Sequence, residues 1–475
     1  MSHFNRTKIV ATMGPATADI SVLEEMFKEG LDICRINFSH GDYEAVTHLV
    51  NNIRTLNKKL TRHVGILADL QGPKLRIGLV KNNLATLVAG EQITITTKEC
   101  EGDENIVYIT YPQFPKDVKV GETVLIDDGK LHLKVIETNG KDEVRCSITV
   151  GGNLSSKKGV NLPNTKISLP SLTLKDLRDL DFALENDFDW IGLSFVRSVT
   201  DVVELKEIIK NKGKRAKVIA KIEKPEAIKE IDNIIDMSDG IMVARGDLGV
   251  ELPMEQVPIL QKMIVTKCVQ IGKPVIIATQ MMESMITSYT PTRAEVNDVA
   301  NAVMDGADAV MLSAETSVGK YPAKVIEMMR RIIKQVEEVD TIYYKEHTPQ
   351  IKTITYITDS ICYNACALAH HAGAQAIISM TNSGYTAFKL SSHRPKAHLF
   401  IFTDNQSLLT TLSLVWGIRG FYYNKYESTD ETIQDLKAYI KKAGFVKDDD
   451  LVINIASMPM KEKGRTNMMK LSYIS

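Results

Sequence analysis

The chain has 475 residues, of which 44% are hydrophobic, 25% charged and 6% aromatic, a composition that excludes disorder and fibrous repeats and predicts about three domains. A formal net charge of −1 provides no positive field for nucleic acid or an anionic membrane, and no apolar run reaches the roughly 18 residues of a membrane helix. The polar start of the chain and six scattered cysteines are typical of a cytoplasmic protein with reduced thiols.

A repeated βα rhythm organises the first two thirds of the chain. Eight short β-branched runs each end in a polar residue or Gly and precede a helical pattern; they lie at 8–12, 32–38, 64–69, 190–195, 217–223, 240–245, 274–279 and 309–314. Eight is the number of strands that closes a parallel barrel. Helix signals support it: Ser21 with Glu24 and Thr292 with Glu295 predict capping boxes, and Gly30 predicts a C-cap.

The spacing between the third and fourth strands predicts an inserted domain, because about 120 residues are too many for a βα connection. From 72 to 166 the pattern has period two with turns at 127–129 and 139–140, as in an all-β unit. A polar stretch from Asp340 predicts a linker, after which strands and helices alternate again. We expect an α/β protein: a (β/α)8 TIM barrel (1–71 and 167–340), an inserted small all-β barrel (72–166), here called the lid, and a C-terminal open α/β domain (350–475).

Polar side chains cluster where the barrel strands end, which is where a parallel barrel forms its active site. In strand order these side chains are Arg35, Asn37, Ser39, His40, Asp69, Lys221, Glu223, Arg245, Asp247, Thr279, Ser313 and Glu315. One cleft can collect all of them.

Glu223 and Asp247 end neighbouring strands, and two carboxylates suit a hard divalent cation such as Mg²⁺; ion pairing, for instance of Glu223 with Lys221, is the alternative. Arg35 and Lys221 beside such a metal would neutralise anionic oxygens, as phosphoryl transfer requires. His40 has no obvious carboxylate partner, so a structural role stays as open as a catalytic one.

The basic residues of the lid, Arg76 and Lys158, have two interpretations. They belong to solvated loops, or they grip nucleotide phosphates when the lid folds over the barrel mouth.

With these residues assembled, the sequence resembles the pyruvate kinase family over essentially its whole length. The segments that carry the resemblance are 8–17 (KIVATMGPAT), 35–41 (RINFSHG), 157–163 (KKGVNLP), 221–223 (KIE), 242–249 (MVARGDLG), 278–285 (ATQMMESM), 292–301 and 311–316 (MLSAET). The resemblance implies transfer of the phosphoryl group of phosphoenolpyruvate to ADP, giving pyruvate and ATP, in a cytoplasmic, allosteric homotetramer of the bacterial type.

The resemblance also assigns roles to individual residues. It implies Glu223 and Asp247 as ligands of Mg²⁺ or Mn²⁺, Arg35, Lys221, Gly246, Asp247 and Thr279 as substrate contacts, and Asn37, His40, Arg76 and Lys158 as nucleotide contacts. Arg35, Lys221 and Thr279 are the expected catalytic residues. Thr279 with a water relay is our hypothesis for the proton donor to the enolate.

The family usually binds K⁺ at positions that match Asn37, Ser39, Asp69 and Leu70. Many members have Thr where this chain has Leu70, and Glu where it has Lys74. Lys74 therefore suggests a built-in cation, as in the K⁺-independent branch of the family. The alternative is that Lys74 points to solvent and K⁺ binds normally.

The segment 381–386 (TNSGYT) resembles the effector phosphate loop of the family, which implies anion contacts from Thr381, Ser383, Gly384 and Thr386. Tyr385 stands where Arg or Lys is common. AMP or a sugar monophosphate is therefore the expected effector in place of a sugar bisphosphate, and an unoccupied loop is the alternative.

Two other classes of protein would share parts of this pattern. A Mg²⁺-dependent barrel lyase or aldolase would use the same carboxylates and cations, but it would not need a nucleotide lid. A non-catalytic regulator would be expected to lack a catalytic residue, and the strand-end cluster lacks none.

Overall fold

The computed structural model describes residues 4–39, 42–345, 347–349, 353–425, 428–458 and 464–475. His40, predicted to contact nucleotide, lies outside the described residues. Among the helices that are described, none is long and apolar enough to cross a membrane.

Eight parallel strands form a closed barrel, in which the first strand pairs with the last and Lys8 lies opposite Ala309. The strands are Lys8–Thr12, Ile33–Asn37, Gly65–Asp69, Trp190–Leu193, Lys217–Ile222, Gly240–Ala244, Val275–Ala278 and Ala309–Leu312. All eight predicted strands are confirmed, although several end one or two residues earlier than predicted. The chain leaves the sheet at these points to build the loops of the barrel mouth.

Helices surround the barrel and bury apolar side chains against its strands, as Leu23, Met26 and Phe27 of the first helix do. The helices are Ile20–Glu29, Tyr43–Leu60, Leu174–Glu185, Val199–Asn211, Pro225–Lys229, Ile231–Met237, Arg245–Glu251, Val257–Ile271, Arg293–Asp305, Ala314–Ser317 and Pro322–Val336. Short 3₁₀ turns lie at Pro15–Thr17, Met254–Gln256, Glu283–Ile286 and Asp340–Ile342.

The first helix does not begin with the predicted capping box of Ser21 and Glu24. Its N-cap is Asp19, whose carboxylate accepts the Ser21 amide at 2.7 Å, and Glu24 instead pairs with Lys28 and Lys59. The predicted C-cap is confirmed, since Gly30 has the left-handed φ of 111° that glycine adopts without strain.

The lid is a six-stranded sheet with a separate two-stranded ribbon. Its strands are Ala85–Leu87, Gln92–Thr96, Ile106–Tyr108, Thr123–Ile126, Leu131–Thr138, Glu143–Val150, Gly152–Leu154 and Val160–Asn161, with short helical turns at Lys81–Asn83 and Phe114–Asp117. Arg76 bridges Gly159 beside one outer strand, and Ile77 bridges Ile109 beside the other. These two bridges bring the edges together and close the sheet into the expected small barrel.

The C-terminal domain is an open five-stranded sheet in the order Ile418–Tyr422, His398–Thr403, Ala376–Met380, Leu451–Ala456 and Met468–Tyr473, with only the last strand antiparallel. Its helices are Tyr356–Ala372, Tyr385–Ser392, Gln406–Leu412 and Thr429–Lys442. The helix Gln406–Leu412 ends before Trp416, whose buried ring stacks against the Arg394 guanidinium.

The polar stretch after Asp340 is more than a solvated linker. Tyr343 is only 4% exposed and packs edge-on against Trp416, with ring centroids 6.1 Å apart. The connection between barrel and C-terminal domain is therefore part of the packed interface between them.

Candidate active site at the barrel mouth

Asp69, at the end of the third barrel strand, organises the centre of the mouth. One carboxylate oxygen accepts Arg35 Nε at 2.7 Å and lies 2.6 Å from Nη2, while the other lies 3.0 Å from Lys221 Nζ. Arg35 also donates to the Thr12 hydroxyl at 2.7 Å. Residues from four barrel strands thus hold two cations side by side at the mouth.

The charges at this centre stabilise one another. Burial alone would raise the pKa of Asp69, but the charges of Lys221 and Arg35 and their hydrogen bonds outweigh it and lower that pKa. For Lys221, burial acts to lower the pKa, and the carboxylates of Asp69 and Glu223 reverse this and raise it. Lys221 is therefore a fixed positive charge at neutral pH, which suits binding of anionic oxygens rather than proton transfer.

Glu223 is held by the neighbouring strand end. One of its oxygens accepts the Phe195 amide at 2.6 Å, and the other lies 3.0 Å from Lys221 Nζ, so the ion pair considered from sequence does form. Burial and the charge of Asp247, which follows the adjacent sixth strand, raise the pKa of Glu223. Asp247 has no ion pair in the described part of the chain.

Two adjacent carboxylates, one without a protein cation, form a donor set that fits a magnesium ion. Mg²⁺ prefers oxygen ligands and usually takes one or two protein carboxylates, leaving its other positions to water and substrate. Among the described residues, no group of three or more Asp, Glu, His or Cys side chains is arranged so that it could hold a metal ion.

Thr279 ends the seventh strand in the left-handed region, with φ 71°, a strained backbone for a β-branched residue. Its hydroxyl donates to the Ala278 carbonyl at 2.6 Å and accepts the Gly246 amide at 2.7 Å. Arg245 fixes the same turn, since it donates to the Thr279 carbonyl and forms a bidentate pair with Asp298. The amide of Gly246, expected to bind substrate, is thus engaged by Thr279 in this state.

The residues expected around a monovalent cation lie together. Asn37 accepts the Ser39 amide through its side-chain oxygen at 3.1 Å, and the Leu70 carbonyl accepts the Ser194 hydroxyl at 2.6 Å. Lys74 lines a small cavity that Asp247 and Phe195 also line, and it has no ion pair or side-chain hydrogen bond in the described part of the chain.

The two lid cations are both tied within the lid. Arg76 donates to the Lys157 carbonyl at 3.0 Å, and Lys158 pairs with Asp127 at 2.8 Å, an interaction that lowers the pKa of Asp127. Asp128, next in the turn, lines the cavity that also contains Asp247. The lid turn therefore lies at the edge of the barrel mouth.

The predicted effector loop borders a separate cavity of about 340 Å³ in the C-terminal domain. Thr381, Ser383 and Thr386 line it, while Gly384, with φ 87°, is the N-cap of the following helix and donates its amide to the Thr381 hydroxyl. Tyr385 lines it too, with its hydroxyl bound to Asp359 at 2.7 Å.

Sequence reasoning missed four groups at the two sites. Thr12 and Ser194 contact Arg35 and Lys221, and the Phe195 amide holds Glu223. Arg465 lines the cavity beside the predicted effector loop, from the loop after the fourth C-terminal strand. The first three lie at or near strand ends, so the rule that found Arg35 would have found them. Arg465 gave no signal in a polar loop.

Comparisons with known proteins agree with this architecture. Residues 4–326 match the family model described as "Pyruvate kinase, barrel domain", and 359–472 match "Pyruvate kinase, alpha/beta domain". The chain is 42% identical to pyruvate kinases of Corynebacterium efficiens, over 99% of this chain and 98% of the relative, and of Mycobacterium tuberculosis, over the same shares. The crystal structure of a pyruvate kinase from Cryptosporidium parvum superposes with a TM-score of 0.93 at 35% identity, covering 99% of this chain and 96% of that one. The chain belongs to the pyruvate kinase family.

Proposed function

We propose that the protein transfers the phosphoryl group of phosphoenolpyruvate to ADP at this barrel mouth, giving pyruvate and ATP. The observation that carries the proposal is the pair of cations, Arg35 and Lys221, held by Asp69 beside the carboxylates of Glu223 and Asp247. Such a cluster balances the charge that spreads over phosphoryl oxygens during transfer. A lyase or aldolase would share the cluster, but family membership favours the kinase.

Glu223 and Asp247 would hold the divalent ion, Mg²⁺ or Mn²⁺. When bound, that ion supplies positive charge to phosphoryl and carboxylate oxygens. Lys221 Nζ, anchored by Asp69, Ser194 and Glu223, faces the transferring phosphoryl group with no need to reorganise. Arg35 would contact the phosphate oxygens from the end of the second strand.

Thr279 is our candidate for delivering a proton to the enolate through water, and for holding the substrate carboxylate together with the amides of Gly246 and Asp247. Its hydroxyl now bonds Gly246 and Ala278. Substrate would take over the Gly246 amide and release the hydroxyl toward the reacting carbon.

We place the nucleotide between barrel and lid, in contact with Asn37, His40, Arg76 and Lys158. Lys158 would exchange Asp127 for a phosphate, which is a favourable swap because a phosphate carries more charge than the half-exposed ion pair it replaces.

Lys74 is our candidate for the built-in cation that replaces K⁺ near Asn37, Ser39, Asp69 and Leu70. Its place in the cavity beside Asp247, without a carboxylate pair in the described part of the chain, favours this interpretation over a solvated side chain. Binding of K⁺ itself stays the alternative.

Further proposals concern regulation and assembly. We propose the domain bounds given above, a cytoplasmic homotetramer, and a phosphorylated effector such as AMP or a sugar monophosphate bound by Thr381, Ser383, Gly384 and Thr386. The cavity beside three of these residues, with Arg465 on its wall, supports an anionic ligand.

The test is pyruvate formation from phosphoenolpyruvate and ADP with Mg²⁺, with K⁺ titrated against a tetraalkylammonium salt at fixed ionic strength. We expect full activity without K⁺, and a K⁺ requirement in the Lys74→Glu variant. Activity of the wild type only with K⁺ would keep the kinase and remove the role of Lys74. No pyruvate under any salt condition, with AMP or ribose 5-phosphate present, would contradict the proposed function.

A further inference from the structure

One buried carboxylate joins the lid to the barrel. Asn161, in the last lid strand, donates its side-chain amide to Glu251 Oε1 at 2.8 Å. Glu251 is the last residue of the short helix Arg245–Glu251, and the same oxygen accepts Lys224 Nζ at 2.6 Å. The side chains of Glu251 and Lys224 are 0% and 7% exposed, so this is a dry contact rather than a surface ion pair.

Charge makes the contact strong and directional. A hydrogen bond to an ionised acceptor is stronger than a neutral one, particularly away from water. Glu251 Oε2 is buried without a hydrogen-bond partner among the described residues, so the carboxylate depends on the two donors that reach Oε1. When the lid leaves, Asn161 goes with it, and only Lys224 continues to compensate the charge.

The same helix meets the lid at a second point. A Cβ built on Gly129, in the lid turn, would lie 3.6 Å from Val250 Cγ1, so the turn rests directly on the residue before Glu251. The helix Arg245–Glu251 is thus the surface on which the closed lid lies.

Both barrel members of the contact are neighbours of the candidate metal ligands. Lys224 follows Glu223 in the chain, and Glu251 lies one helical turn after Asp247. On the lid side, Asn161 lies three residues after Lys158, a proposed nucleotide contact. A displacement of Asn161 therefore moves the lid cation away from the mouth, while the phosphoenolpyruvate contacts on the barrel stay in place.

We infer that Glu251 is a positioning residue that latches the lid over the barrel mouth, with Lys224 holding its carboxylate and Asn161 as the lid contact. It touches no substrate; it fixes the closed position from which Lys158 reaches the nucleotide. The effect on lid closure is independent of the proposed function, whereas the effect on nucleotide binding rests on it.

The test uses the full chain with Asn161→Ala, which removes the donor, and Asn161→Asp, which places a second carboxylate against Glu251. Asn153→Ala is the matched control, because Asn153 is an exposed residue of the two-stranded lid ribbon whose side-chain oxygen accepts the Thr86 hydroxyl within that ribbon. Amide hydrogen exchange is followed at 128–131 and 159–162 without substrates, and thermal unfolding confirms that each variant is folded. We expect the exchange rate at both segments to rise at least about tenfold in the Asn161 variants. This is the change expected when the closed lid loses one hydrogen bond to a charged group.

Kinetics separate the latch from the proposed reaction. We expect Asn161→Asp to raise KM for ADP about tenfold or more and to leave KM for phosphoenolpyruvate near that of the wild type, as Asn153→Ala should for both. Unchanged exchange in both Asn161 variants would overturn the latch, whatever the kinetics. If exchange increases in the Asn161 variants but the wild-type protein forms no pyruvate, the latch is supported and the proposed function is contradicted.

Discussion

Asp69 is important for the stability of the barrel mouth, because its single negative charge lies between the positive charges of Arg35 and Lys221. Replacing it with Asn removes the carboxylate from Arg35 and leaves Lys221 with Glu223 alone, and removing one member of a buried ion pair costs about 3 to 5 kcal/mol. We expect urea unfolding to show a loss in this range for Asp69→Asn. The exposed pair of Asp181 and Lys212 provides the control, since Asp181→Asn should change stability by no more than about 1 kcal/mol. Equal effects of the two substitutions would contradict this account of the mouth.

The pH dependence of stability should also show the contribution of Asp69. The pKa of Asp69 is lowered by folding from its ordinary value of 3.8, so the unfolded chain binds a proton there more readily than the folded protein does. Its contribution to stability is therefore complete above the unfolded pKa and is lost as the pH falls through the folded pKa. The unfolding free energy of the wild type, measured downward from pH 6, should fall more steeply below about pH 4 than that of Asp69→Asn. Parallel curves would show that this carboxylate is not preferentially ionised in the fold.

A substitution of Thr279 should distinguish two steps that a turnover assay measures together, namely protonation of the enolate and binding of phosphoenolpyruvate. Thr279→Ala should slow the exchange of pyruvate methyl hydrogens with D₂O in the presence of ATP and Mg²⁺ by about 10² or more, the usual contribution of a positioned proton donor. Phosphoenolpyruvate binding, measured by calorimetry, should change much less. Thr279→Ser keeps the hydroxyl and serves as the control. Exchange at the wild-type rate in the Ala variant would remove Thr279 from proton delivery.

At the scale of elements, the helix Arg293–Asp305 has the capping box expected from sequence. Thr292 accepts the Glu295 amide, and Glu295 in turn accepts the Thr292 amide and both donors of Ser284. Thr292→Ala should cost about 1 kcal/mol of unfolding free energy, and Thr292→Ser much less, because Ser and Thr cap almost equally well. A loss as large in the Ser variant would point to the methyl group rather than the cap.

The elements predicted from sequence are those whose signals are local. The eight barrel strands are short, largely apolar runs with polar residues toward their ends, and Thr292 with Glu295 is a four-residue signal. In contrast, the strand Ile418–Tyr422 contains Arg419 and Gly420, which interrupt its pattern, and it exists because it pairs with His398–Thr403. Asp19 and Ser21 could each cap the first helix, and the N-cap is Asp19, the residue immediately before it.

The site was predictable to the same extent. Strand ends identified Arg35, Asp69, Lys221 and Glu223, because the end of a strand can be read from one sequence. The choice of partners could not be read, since Asp69 meets Arg35 across a pair of strands and meets Lys221, 152 residues away, only in the closed barrel. The latch at Glu251 is invisible for that reason: its partner Asn161 lies 90 residues away, in another domain.

For the whole molecule, one buried ion pair fastens the C-terminal domain below the barrel. Arg394, 2% exposed, pairs with Asp308 at 2.8 Å and stacks over Trp416. Arg394→Met keeps the apolar stack and leaves Asp308 uncompensated, so we expect a loss of about 3 to 5 kcal/mol. Calorimetry should show the C-terminal domain melting ahead of the barrel. The exposed pair of Lys396 and Asp340 is the control, since Lys396→Met should leave the unfolding profile unchanged. If Arg394→Met also shows a single transition at the wild-type temperature, other contacts join the two domains.

The pairing of the first barrel strand with the last also has a consequence for biosynthesis. Lys8 and Ala309 are partners, so the barrel cannot close before about 310 residues have left the ribosome, and at roughly 5 to 20 residues per second that takes tens of seconds. Meanwhile the three strands that precede the lid can pair only with one another, so the outer edges of the first and third have no partner, whereas the lid contains all of its own strand partners and can fold as soon as it has emerged. The nascent chain thus carries a finished β domain on an unfinished barrel, and it is in this interval that it is most exposed to aggregation and to capture by chaperones.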